Sequence, residues 1–129
     1  MPREESHYPA DWMRVAEKDW RRMRQALDVG DAEEAGFWLQ QAAEKFLKAY
    51  LLSKGWTLRR VHDLEVLLNE AMGHQGDLGR YRLACQKISG YYLTERYPLM
   101  DGPSLTVEDV LGSRQDIEPL IEYIRRELS

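Results

Sequence analysis

The side chains best suited to chemistry collect in two arginine-bearing stretches. The first is Arg59-Arg60-Val61-His62-Asp63-Leu64. Here His62 or Asp63 can cap a following helix, and a helix N-terminus beside two arginines suits an anion. The simpler alternative is a capped helix with solvated arginines. The second runs Tyr91-Tyr92-Leu93-Thr94-Glu95-Arg96-Tyr97-Pro98-Leu99-Met100-Asp101 and sets one arginine among three tyrosines. Aromatic faces suit a base and a guanidinium suits a phosphate. The alternative has the tyrosines packing the end of a bundle while Arg96 pairs with Glu95, Asp101 or Asp19.

Other chemistries find little support. The three histidines, His7, His62 and His74, share no helix at metal-ligating spacing, so neither a metal nor a cofactor is expected. Gly73, Gly76 and Gly79 lack the lysine and the strand of a phosphate-binding loop. Ser89-Gly90 falls within a helical pattern and makes no nucleophile elbow. Cys85 shares an apolar helix face with Tyr81, Ala84, Ile88 and Tyr92 and reads as core.

Helices must position these residues. After a tail over residues 1–10, Asp11 can cap a first helix running to about Val29. Asp31 caps a second from Ala32 to Lys54, which Gly55 ends. Gly36 is its weak point. His62-Asp63 opens a third helix through Met72, and a fourth runs from about Leu78 to Leu93. Residues 94–105, with Pro98, Gly102 and Pro103, read as a loop. Thr106 and Asp109 form a capping box for a last helix to Leu128, which Pro119 should kink or split. No sustained period-two alternation predicts a strand.

On the second helix, Ala35, Trp38, Leu39, Ala42, Ala43, Phe46, Ala49 and Tyr50 fill about half the wheel. Glu33, Glu34, Gln40, Gln41, Glu44, Lys45 and Lys48 fill the other half. So wide an apolar face needs at least two neighbours, which makes this the central helix of an antiparallel bundle. Phe37 stands among the polar residues, where an aromatic is either harmless or an anchor for a partner. Asp19 lies inside the apolar stripe of the first helix and needs a partner or a cleft.

Composition sets the frame. The 129 residues carry a formal charge of -4, 43% hydrophobic residues, four tryptophans and one cysteine. These values fit one folded domain over residues 11–129 and argue against disorder and a disulfide framework. The acidic balance opposes bulk coating of nucleic acid but leaves room for a local basic site. No apolar run approaches a membrane span, and Met1-Pro2-Arg3-Glu4-Glu5 is unlike a signal peptide. A cytoplasmic protein without membrane contact is the expectation.

Several stretches together resemble the HEPN (higher eukaryotes and prokaryotes nucleotide-binding) domain family. The likeness begins at Asp11-Trp12-Met13-Arg14-Val15-Ala16-Glu17-Lys18-Asp19. It is strongest at Gln40-Gln41-Ala42-Ala43-Glu44-Lys45-Phe46-Leu47-Lys48-Ala49 and continues through Val61-His62-Asp63-Leu64 and Arg96-Tyr97-Pro98. The resemblance implies an all-α antiparallel bundle of four to five helices and a homodimer. It also implies a nucleotide or RNA ligand, with a minimal nucleotidyltransferase as partner in a toxin–antitoxin or defence pair. Other members are metal-independent endoribonucleases bearing an arginine, four to six intervening residues and a histidine. That motif is absent: Arg59 and Arg60 stand too close to His62, and Asp101 occupies the place after Arg96 where a histidine would serve. An aspartate, titrating near 3.9, lends no proton readily at neutral pH.

Binding is therefore expected ahead of catalysis. Arg96 would contact phosphate, Tyr97 and Tyr92 would offer stacking faces, and His62 and Asp63 would orient the helix end or touch the ligand. Asp19 would hold Arg96 or Lys48. The alternatives are a divergent endoribonuclease using Arg96 with Asp101 or His62, and a non-catalytic dimeric interaction module anchored by Phe37.

Overall fold

The computed structural model describes residues 5–96 and 104–129, with side chains for 5–91 and 104–129. Five α-helices follow one another: α1 (Pro9–Asp28), α2 (Ala32–Ser53), α3 (Leu64–Met72), α4 (Arg82–Arg96) and α5 (Val107–Glu127). A 3₁₀ turn over Gly76–Tyr81 joins α3 to α4. No strand occurs among the described residues. None of the described helices is long and apolar enough to cross a membrane.

Local chemistry explains most of the boundaries. The Asp31 carboxylate accepts a hydrogen bond from Glu34 N at 3.2 Å and starts α2. Asp63 accepts from Glu65 N at 2.8 Å and starts α3. Thr106 and Asp109 exchange bonds of 3.1 Å each way, completing the capping box of α5. Gly30 and Gly55 take φ values of 75° and 88° beyond the ends of α1 and α2, a region that favours glycine.

Three boundaries and one interior position differ from the sequence-based expectation. α1 begins at Pro9, which needs no N–H partner in a first turn, while Asp11 accepts a bond from Ser6 Oγ at 2.7 Å. The segment expected to open the fourth helix tightens into the 3₁₀ turn instead. There Gly79 approaches Met72 so closely that a Cβ would lie 2.9 Å from Met72 Cε. At its other end α4 continues through Thr94, Glu95 and Arg96, where the sequence predicts a loop. Pro119 does not split α5, because it lies on the exposed side, where the carbonyl it leaves unbonded can reach water.

The second helix occupies the centre and touches each of the other four. Trp20 meets Phe46 edge-on at 6.2 Å between ring centres, and Met23, Leu39, Leu51, Leu67, Ile88 and Ile121 complete the buried interior. Arg125 grips Glu17 with bonds of 2.9 and 2.7 Å while its guanidinium covers Trp20, so α5 closes onto α1. Gly36 is buried rather than merely weak, since a Cβ there would meet Leu105 at 2.8 Å and Tyr91 at 3.2 Å.

Candidate functional site

A cleft of about 610 Å³ opens where α1, α2, the segment before α3 and α4 meet. That volume lies within the range of small-molecule sites. Trp12 and Phe37 supply aromatic wall, Gln40, Glu44 and Lys48 form a polar stripe along α2, and His62, Asp63 and Ser89 come from the other side. Four-residue spacing puts Gln40, Glu44 and Lys48 on one helix face. All three are buried, Lys48 at 1% exposure and Glu44 at 4%.

Burying these charges requires partners. Lys48 Nζ donates to Glu44 Oε2 at 3.3 Å and rests 5.1 Å from the centre of the Trp12 ring. His62 Nδ1 lies 3.2 Å from the same Glu44 oxygen. The other carboxylate oxygen, Oε1, is screened from solvent and has no hydrogen-bond partner among the described residues, and the same holds for Ser89 Oγ. An acceptor left open in this way is satisfied by a hydroxyl or N–H group. At the rim, Lys45 Nζ donates to Asp19 Oδ2 at 2.7 Å and to Gln41 Oε1 at 3.1 Å. Both lysine ammonium groups of the cleft are thus matched by carboxylates.

The structure corrects some sequence-based expectations and bears out others. Asp19 does not hold Lys48; it is bound by Lys45 and by Arg22 at 3.1 Å, because Lys48 is taken by Glu44 one turn before it on α2. The helix end at Asp63 is not an open anion site, since the Asp63 carboxylate fills the amide positions itself. Arg59 turns away to Glu70 and the Trp56 ring. His62 and Asp63 do border the cleft, with the His62 side chain largely exposed. Phe37 forms cleft wall and packs on Trp38 at 5.1 Å between ring centres. Tyr91 packs the bundle end, its hydroxyl 2.7 Å from Ser113 Oγ. Cys85 is buried, and desolvation pushes its thiol up to about 12.

The side chains of Tyr92 and Arg96, and all of Tyr97 and Asp101, lie outside the described residues. Arg96 ends α4 seven residues after the cleft residue Ser89, or about two helical turns. The sequence-based reading missed Gln40, Glu44, Lys48, Trp12 and Ser89 as site residues. Their spacing was visible; their burial depends on elements distant in sequence.

Comparison with known proteins agrees with this architecture. The family model described as HEPN domain matches residues 9–128. TT1696 from Thermus thermophilus, a solved structure, is similar with a TM-score of 0.75 and 25% identity, over 92% of this chain and 96% of that one. The structure of ST0689, an archaeal HEPN homologue, is similar with a TM-score of 0.74 and 23% identity, over 95% and 98%. No curated protein matches the chain. With the helix order, the central α2 and a family match that spans nearly its whole length, the chain belongs to the HEPN domain family.

Proposed function

We propose that this protein binds a nucleotide, free or at an RNA end, as the HEPN component of a two-protein system with a minimal nucleotidyltransferase. The observation that carries the reading is the α1–α2–α4 cleft. It combines two aromatic walls, the Gln40 amide and a buried carboxylate with one oxygen unbonded. Trp12 or Phe37 takes the face of a base. Glu44 Oε1 and Ser89 Oγ meet sugar hydroxyls or an exocyclic amine.

Phosphate belongs elsewhere, because Lys45 and Lys48 already have carboxylate partners. Arg96 is the residue assigned to it, with Tyr92 and Tyr97 as further stacking faces and His62 and Asp63 orienting the helix end or touching the ligand. Each role of these five residues is part of the proposal. A homodimer is the quaternary state in this reading, because a two-fold pair is the default for a small helical bundle.

Calorimetric titration of AMP, GMP, CMP and UMP into the protein and its Trp12→Ala and Arg96→Ala variants tests the assignment. The expected result is binding of at least one mononucleotide, weakened at least tenfold in each variant. A wild-type protein that binds none of the four refutes it. Binding unaffected by either change moves the ligand out of this cleft.

A further inference from the structure

A second surface, on the α1–α5 side of the bundle, draws together cations that have no ion pair among the described residues. Five described arginines reach a carboxylate: Arg14 with Asp11, Arg22 with Asp19, Arg59 with Glu70, Arg82 with Glu65 and Arg125 with Glu17. Arg60, Arg80 and Arg126 have no ion pair among the described residues and line neither of the hollows below. Arg21, Arg24 and Arg114 have no ion pair among the described residues. These three line the same pair of adjoining hollows, of about 380 and 420 Å³. Arg21 and Arg24 are three residues apart on α1 and so share a face. Arg114 faces them from α5, its guanidinium 5.8 Å from the centre of the Trp20 ring.

Like charges lining one groove without ion pairs of their own repel one another and favour a mobile or bound anion between them. Asp28 and Glu118 border the hollows without pairing to the three, and Glu17 is occupied by Arg125. The first hollow is lined by Arg21, Arg24, Gln25, Asp28 and Arg114, with no apolar side chain. In the second the aromatic Trp20 is buried beneath the arginines and offers no free face. Protein interfaces need apolar or aromatic anchors at their centre, whereas nucleic-acid interfaces are polar and cationic. Arginine also matches phosphate oxygens through paired donors.

We infer that the Arg21–Arg24–Arg114 groove is a docking track for the phosphodiester backbone of a single-stranded nucleic acid, separate from the α1–α2–α4 cleft. It contacts phosphates and no bases, so it orients a strand without reading its sequence. RNA and DNA strands share this backbone chemistry and bind alike in the groove.

The test is fluorescence anisotropy with labelled twelve-nucleotide oligo-U and oligo-dT strands and the full-length protein. Three phosphate contacts on a single strand give a log–log salt slope of about −2, so affinity falls roughly 20-fold between about 50 and about 200 mM salt. The Arg21→Gln/Arg24→Gln/Arg114→Gln variant loses that slope and at least tenfold in affinity at low salt. Its circular dichroism and thermal midpoint report whether it folds, and the single charge reversal at exposed Arg21, Arg21→Glu, weakens binding severalfold without burial effects. Absence of strand binding at low salt, or triple-variant binding equal to wild type, overturns the inference. Labelled poly-glutamate that binds more tightly than oligo-dT at equal charge concentration identifies a site for acidic polypeptide and overturns it as well. A tenfold preference for oligo-U over oligo-dT contradicts contact through phosphate alone.

Discussion

Replacing Lys48 with Met should unsettle the protein far more than replacing both Lys48 and Glu44. Lys48 and Glu44 are almost wholly removed from solvent and joined at 3.3 Å. Lys48→Met leaves a buried carboxylate whose remaining neighbour is the exposed His62. Breaking a buried pair from one side costs about 3–5 kcal/mol. A chain of 129 residues has an unfolding entropy near 0.27 kcal/mol/K, so a loss of about 4 kcal/mol lowers Tm by about 15 °C. The double variant Glu44→Leu/Lys48→Met exchanges the pair for apolar groups of similar size. Such exchanges are neutral or stabilising by about 1–4 kcal/mol. Guanidinium denaturation of wild type, both single variants and the double variant closes the thermodynamic cycle. The expected pattern is a double variant at least as stable as wild type that no longer binds nucleotide, which would mean the pair is retained for its ligand. A Lys48→Met loss below about 1 kcal/mol would refute the premise that these charges depend on one another in the folded state.

Three further outcomes follow from local geometry. Gly36→Ala should destabilise by about 1–3 kcal/mol in chemical denaturation, although alanine is the better helix former, because its Cβ would collide with Leu105 and Tyr91. Cys85, pushed up to about 12 chiefly by burial, should react with a thiol reagent at pH 8 about a thousandfold more slowly than a free thiol, with the full rate restored in denaturant. Asp109, held below its ordinary range by its bonds to the Thr106 backbone and hydroxyl, should titrate by NMR at lower pH than a model aspartate. Because its folded pKa is depressed, the capping contribution is present at neutral pH and is lost as pH falls through that folded value. Thr106→Ala removes the hydroxyl but keeps the backbone N–H bond, so it should move the titration only part of the way back to the ordinary range, and the lost cap should cost about 1 kcal/mol.

The helices were legible because their caps are local. Asp31, Asp63 and the Thr106–Asp109 box each act within three residues, and the fold class followed from α2's wide apolar face. The boundaries that moved did so for tertiary or backbone reasons: Gly79 against Met72, and Pro9 filling a first helical turn. The cleft was harder to foresee. Gln40, Glu44 and Lys48 fall on the polar half of the α2 wheel, which on an isolated helix would face solvent. Their burial is imposed by Trp12, the segment before α3 and Ser89 of α4, which arrive from far along the chain. Asp19 announced its need for a partner, yet the choice of Lys45 over Lys48 turns on Glu44 having taken Lys48. Likewise, nothing local predicts that Tyr91 meets Ser113 or that Arg125 grips Glu17.

The central claim, a nucleotide seated in the cleft that Trp12, Phe37 and Glu44 line, is tested most directly through the tryptophan indole N–H signals. Trp12 donates its indole N–H to the Ser6 carbonyl at 2.7 Å beside the cleft, whereas Trp20 is packed in the core and Trp56 lies under Arg59. In a ¹H–¹⁵N titration with the four ribonucleoside monophosphates, the account predicts a saturable shift of the Trp12 indole with at least one of them, while the Trp20 and Trp56 signals stay in place. A Trp12 signal that stays put through all four titrations, or one that moves only together with the core tryptophan, would contradict it.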